Sequence, residues 1–350
     1  MWQGILGHDA VVERFRQTLR RGRLASTYLF VGPAGVGKRL FALKLAESLL
    51  CGETADESLA PCGRCESCRL FAAGNHPDLE VISRPADKSS LPVELFIGDS
   101  EHRNREGLCH RISLKPYLGR RRVAIIDDAD RLNSASANCL LKTLEEPPPR
   151  SLLILLGTSP SKQLPTIRSR AQIVRFQPLE PSVVADVVML NAIVRDHAEA
   201  VQLAAHSEGS LERASQMNDP ELWGFRERLL RELAGGVDDS VRLARSLQTF
   251  VDEAGKEATL RRDRLRTIVS FAEEFYRGLL RALAGSNFGG DAALQTAVKG
   301  CMSSGGAPSC DRLLESLEAC FAAVQCVDRN ANLPLVIQKW CDDLTTRAAA

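Results

Sequence analysis

Four cysteines, Cys51, Cys62, Cys65 and Cys68, stand in the spacing C-x10-C-x2-C-x2-C. Thiolates are soft ligands, and four drawn from so short a stretch can close a tetrahedral structural zinc site. The polar flanks favour zinc over an iron–sulfur cluster, although thiolate softness suits either. The start, Met1-Trp2-Gln3-Gly4, has neither the basic nor the apolar region of a secretory leader. A reducing, cytoplasmic setting is therefore expected, with the eleven cysteines as free thiols or metal ligands rather than disulfides. Only Arg64 and Arg69 are basic nearby, and no aromatic residue lies between the cysteines to stack on a base. The pattern reads as a staple for a surface loop, not a DNA-reading finger.

The run Gly32-Pro33-Ala34-Gly35-Val36-Gly37-Lys38 lies between a strand-like stretch and a helical one. In that setting backbone N–H groups and the positive helix end can cradle phosphates, and a lysine can neutralise them. The next residue is Arg39, where such a loop carries a Ser or Thr hydroxyl for Mg2+. A guanidinium has no lone pair to offer a metal. Farther on, Val123-Ala124-Ile125-Ile126-Asp127-Asp128 ends a second strand on two carboxylates, with Asp127 placed to hold Mg2+ through water. Gly32, Gly35, Gly37, Lys38 and Asp127 are thus candidate ATP ligands, and two readings stay open: a weakened ATP site, or a turn inherited from one. Arg170 closes the run Thr166-Ile167-Arg168-Ser169-Arg170, just before the last strand-like stretch. An arginine there can act as a finger in a neighbour's nucleotide site, contributing about 10³–10⁵ in rate, or be a solvated surface side chain. The Arg120-Arg121-Arg122 run has the same two readings, DNA contact or solvated face.

These groups need a scaffold. Short β-branched or apolar runs at 28–31, 79–82, 123–126, 152–156 and 173–176 alternate with helical stretches, the pattern of a parallel sheet covered by helices. Between the first two, Phe41, Ala42, Leu45, Ala46 and Leu49 fall on one helical face. After Pro178 the strand signals stop, and 182–194, 197–206 and 211–217 read as three short helices, with Gly209 breaking the second from the third. From Asp219 longer helical patterns such as 261–284 and 312–328 dominate, broken by glycine-rich 285–290 and 305–308, and 348–350 reads as a frayed end. The expected organisation is an α/β nucleotide-binding-type domain at 1–177 with a zinc module inserted at 51–68, a three-helix lid at 178–218 and an all-α domain at 219–350.

A chain of 350 residues exceeds one ordinary core. Its net charge of +1 excludes nucleic-acid binding by bulk electrostatics. No apolar run reaches the roughly 18–20 residues of a membrane span.

Taken together, the phosphate loop, the four cysteines, the stretch holding Asn133, Asn138 and Leu144-Glu145-Glu146-Pro147-Pro148, and Leu164-Pro165-Thr166-Ile167-Arg168-Ser169-Arg170 resemble bacterial clamp-loader subunits of the AAA+ family, the delta-prime type above all. The specific likeness covers roughly residues 3–178, and the C-terminal half adds only Asn330-Ala331-Asn332-Leu333-Pro334-Leu335. The resemblance implies a RecA-like AAA+ domain, a three-helix lid, and a helical collar that joins five subunits in an open ring. It implies that Ser169-Arg170 corresponds to the family's Ser-Arg-Cys motif, whose arginine reaches in trans toward ATP on a motor subunit, with Ala171 replacing the cysteine. Asp128 stands where AAA+ ATPases carry a catalytic glutamate, Glu212 where motor subunits tend to carry arginine, and Thr158 near the polar sensor position.

Arg39, Asp128 and Glu212 depart together from the active pattern while Arg170 remains. The resemblance therefore implies a stator with little hydrolysis of its own, carrying structural Zn2+, its ATP binding left open. Its implied partners are gamma/tau-like motor subunits and a delta-like subunit in a hetero-pentameric ring of DNA polymerase III, acting with the sliding clamp and primed DNA. The competing expectations are an ATP-hydrolysing gamma/tau-type motor of the same loader, and a zinc-dependent nucleic-acid binding protein outside any ring. The sequence ends at Ala350, without the long extension of the tau form.

Overall fold

The run Thr27–Val31 (β1) is buried along its whole length, as a strand covered on both faces must be. In the computed structural model, which describes residues 1–85, 88, 90–103, 105–118, 120–303 and 308–346, β1 is bracketed by two parallel neighbours. With Leu79–Ile82 (β2), Arg122–Ile126 (β3), Ser151–Gly157 (β4) and Gln172–Arg175 (β5) it forms one parallel sheet in the order β2-β3-β4-β1-β5. This is the expected α/β architecture of an AAA+ domain.

Helices Asp9–Arg20 (α1), Lys38–Leu50 (α2), Glu66–Ala72 (α3), Glu94–Ile97 (α4), Leu108–Ser113 (α5), Ser134–Glu145 (α6) and Pro165–Arg168 (α7) cover the sheet. Alternate side chains of β1 enter opposite layers. Tyr28 and Phe30 join Phe15 of α1 and Phe41, Leu45 and Leu49 of α2. Leu29 and Val31 join Ile112 of α5, Leu140 and Leu144 of α6, and Ile167 of α7. Each such buried side chain contributes about 1.5–3 kcal/mol, so both faces of the central strand are pinned, and with them the loops at its ends.

Three helices follow the sheet: Pro181–Leu190 (α8), His197–His206 (α9) and Leu211–Gln216 (α10). Helix α8 stops at Leu190 rather than at 194, because Ala192 turns the chain with a φ of 53°.

The chain divides into two compact units, Met1–Asn218 and Asp219–Ala350. The second is helical: Pro220–Gly235 (α11), Ser240–Asp252 (α12), Ala258–Leu283 (α13), Ala292–Ser303 (α14), Cys310–Asp328 (α15) and Leu333–Thr346 (α16). Phe225 stacks on Phe250 at 4.2 Å. Arg226, 1% exposed, is neutralised by Asp291 at 2.7 Å and Glu274 at 3.3 Å, as a buried charge requires. The glycine-rich stretch at 305–307 and the end at 348–350 lie outside the described residues. Among the described residues no helix is long and apolar enough to cross a membrane.

Candidate functional site

The phosphate-loop residues follow β1 directly. Gly37 caps α2 with a φ of 94°, a left-handed conformation that costs glycine least. Helix α2 then opens on Lys38 and Arg39, two cations at the positive end of a helix dipole, where anions are preferred. The chain supplies its own offsets. Lys38 Nζ donates to the carbonyls of Gly32 at 2.7 Å and Pro33 at 2.6 Å, so its ammonium curls back onto the loop. Burial holds Lys38 below the usual lysine range, opposed by Asp130, Asp127 and Glu212.

The loop is also covered. Gly35 takes a φ of 71°, and the Leu211 N–H of α10 donates to its carbonyl at 2.9 Å. A Cβ on Gly35 would meet the Ser210 hydroxyl and stand 2.6 Å from Glu212 Cβ. The start of α10 thus rests on the loop and brings Glu212 beside Lys38. From the other side His8 Nε2 donates to the Val36 carbonyl at 2.6 Å, a link across 28 residues that the sequence reading missed.

The two carboxylates after β3 are both engaged. Arg39 lies 3.5 Å from Asp127 and Arg84 lies 3.8 Å from Asp128. Asp128, with a φ of 53°, is pushed up from the usual carboxylate range by burial and then by neighbouring Asp127. Thr158 turns both its N–H and its hydroxyl to Asp130 Oδ2, at 2.8 and 2.5 Å, and Gln163 bonds the other oxygen at 2.6 Å. The side chains of Lys38, Arg39, Asp127 and Asp128 thus each have a partner within the chain.

The four cysteines meet. Their sulfurs all lie within 4.8 Å of one another, with Cys51–Cys65 and Cys62–Cys68 each at 3.9 Å. Zn–S bonds of about 2.3 Å in a tetrahedron set S–S separations of about 3.8 Å, so the donor set fits zinc. Backbone N–H groups of Cys62, Cys65 and Cys68 donate to the sulfurs of Cys51, Cys62 and Cys65 at 3.3–3.4 Å, which favours thiolates. At Cys51 burial, which raises the thiol, is outweighed by the surrounding donors, and the group is brought down to about 5. Despite its polar flanks the cluster is half inside: Cys51 and Cys68 are buried.

The knuckle is tied to the body at several points. Trp2 Nε1 and Gln3 Nε2 donate to the Leu59 carbonyl at 2.7 and 2.8 Å. Asp56 pairs with Arg120 at 3.0 Å and with Arg121, and Arg122 lies 3.6 Å from Asp78. The basic run is therefore spent on internal acids. Ser67 donates to the Leu50 carbonyl at 2.7 Å and receives His76 Nε2 at 2.9 Å, while His76 Nδ1 accepts from the Asp78 N–H at 3.1 Å.

Arg170 stands apart from all of this. Strand β5 runs parallel to β1 with Gln172 opposite Tyr28, so Arg170 lies about level with residue 26, whereas the phosphate loop begins at Gly32. About six residues of strand span about 20 Å. The arginine therefore occupies the opposite end of the sheet from its own loop. There it donates to the Thr166 carbonyl, the Ser169 hydroxyl and Glu145 Oε1 at 3.0, 3.2 and 2.8 Å.

A parallel sheet in this order, a phosphate loop after its central strand and a helical trio resting on that loop define an AAA+-type nucleotide-binding fold with altered nucleotide residues. Residues 7–180 match the family described as DNA polymerase III, delta subunit. The chain is 34% identical to the DNA polymerase III subunit delta' of Pseudomonas aeruginosa over 216 residues, 61% of this chain and 61% of that one. To the subunit delta' of Bacillus subtilis it is 32% identical over 215 residues, 58% of this chain and 61% of that one. It is also 30% identical to the subunit tau/gamma of Haemophilus influenzae over 275 residues, 72% of this chain and 38% of that one. The matched stretch thus spans less than two thirds of each relative's length.

Proposed function

We propose that the chain is the delta-prime, or stator, subunit of a bacterial DNA polymerase III clamp loader. In this reading it helps place the sliding clamp on primed DNA in the cytoplasm, and its Arg170 completes the ATP site of a neighbouring gamma/tau-like motor subunit. The observation that carries the reading is a division within one sheet: Lys38, Arg39 and Asp127 pair with groups of their own chain at the loop end, while Arg170 sits about 20 Å away at the opposite end, out of reach of a nucleotide on its own loop. The delta-prime relatives support the same choice over a motor. The boundaries at 177 and 218 are taken as AAA+ domain, lid and collar, with residues 219–350 holding the subunit in a hetero-pentameric ring beside a delta-like subunit.

In this reading Cys51, Cys62, Cys65 and Cys68 hold a structural Zn2+ that fixes the 51–72 segment and takes no part in turnover. Gly32, Gly35, Gly37, Lys38 and Asp127 keep the shape of an ATP site without its metal chemistry.

The test is clamp loading onto primed circular DNA by a loader reconstituted with and without this chain, beside hydrolysis by the chain alone. Loading that requires the chain, with background hydrolysis by the chain itself, is the expected result. Robust hydrolysis by the isolated chain would make it a motor.

A further inference from the structure

Building on the clamp-loader reading, we propose that Glu145 is a positioning residue that parks Arg170 against its own subunit until a phosphate of the neighbour's ATP replaces the carboxylate. Glu145 Oε1 accepts from Arg170 Nη2 at 2.8 Å, and the other terminal nitrogen is held by Thr166 and Ser169. All these contacts are internal, so the guanidinium faces its own α6 and α7 in the free chain. The arrangement is built in, because Leu140 and Leu144 of α6 share a core with Ile167 of α7, and that packing sets where the acid and the base emerge.

Helix energetics do not account for the acid. Glu145 is the last residue of α6, where the dipole is negative and favours a cation, and it is followed by a second acid, Glu146. The Arg170 contact gives the carboxylate a role that its helix does not.

The pair is 34% and 51% exposed, and exposed ion pairs of this kind shift an equilibrium by about fivefold at most. A polyphosphate carries more charge and can accept two guanidinium bonds. It therefore wins the arginine when present, and the parked contact only delays or weakens engagement. Removing the competitor makes engagement easier.

The experiment is ATP turnover against ATP concentration in the reconstituted loader carrying native chain, Glu145→Gln, Glu145→Asp, Arg170→Ala, or Glu145→Gln with Arg170→Ala. Glutamine keeps the size and helix preference of glutamate at this half-exposed site. Expected are an apparent KM about two- to fivefold lower for Glu145→Gln at unchanged kcat, a value between native and Gln for Glu145→Asp, and a double variant that matches Arg170→Ala alone. If Arg170→Ala slows turnover but Glu145→Gln behaves as native, the parking role is wrong. An effect of Glu145→Gln that persists without Arg170 would make Glu145 merely structural. If Arg170→Ala changes nothing, the finger reading fails first and this inference with it.

Discussion

The Arg39 guanidinium lies 3.5 Å from the Asp127 carboxylate. A side chain's fixed positive charge thus pairs with the carboxylate that would otherwise serve a magnesium ion. Relieving that contact should restore metal dependence: Arg39→Thr supplies the missing hydroxyl and frees the carboxylate. Its affinity for Mg2+-ATP is expected to rise by at least about tenfold, roughly 1.4 kcal/mol, over the native chain in a calorimetric titration. Equal affinities would mean that the covering helix α10, not Arg39, decides the matter.

Gly35 tests that cover. An added Cβ meets Ser210 and Glu212 at a backbone angle that disfavours any side chain. Gly35→Ala is expected to destabilise the first unit by about 1–3 kcal/mol and to speed proteolysis between α8 and α10. Unchanged protease sensitivity would show that the contact of α10 with the loop is dispensable.

The cysteine cluster should bind one zinc per chain, read by elemental analysis. Cys65→Ser is expected to lose the metal and several kcal/mol of stability, since metal affinity is folding energy in small sites. Chelation of the native chain should loosen the 51–72 segment in hydrogen exchange. A native chain that carries no metal and keeps the segment protected after chelation would remove the zinc reading.

His76 gives a pH signature. Burial, only partly opposed by Asp78, lowers its affinity for a proton, and both ring nitrogens are already committed. Above the ordinary histidine value of about 6.5 neither state is charged and the full stability is present. As the pH falls below it, the unfolded chain takes up a proton that the folded chain refuses, so stability drops until the lower folded value is passed. Denaturant titrations under saturating zinc should show a smaller loss between pH 7.5 and 5.5 for His76→Gln than for the native chain.

The contrast between what the sequence revealed and what it hid follows contact range. The strands and α2 were legible because apolar runs and helical patterns are local: β1 is buried throughout, and Phe41, Leu45 and Leu49 are all fully buried. The cysteines were legible because all four sulfurs come from one short stretch. The hold of Trp2 and Gln3 on Leu59, of Asp56 on Arg120 and Arg121, and of Glu145 on Arg170 spans 25 to 65 residues, and no local pattern encodes such pairs. Arg39 was recognisable as wrong for magnesium, but its pairing with Asp127 depends on β1 and β3 lying in one sheet, separated by β4.

On the proposed reading this chain gives an arginine to another subunit's ATP and hydrolyses none itself. Single-turnover hydrolysis by the reconstituted loader with native chain or Arg170→Ala, beside the chain alone, tests this. The expected result is background hydrolysis by the isolated chain and the loss of one site's share of the loader's burst with Arg170→Ala, that site slowing by about 10³-fold. A full burst with Arg170→Ala, or a burst from the isolated chain, would contradict it.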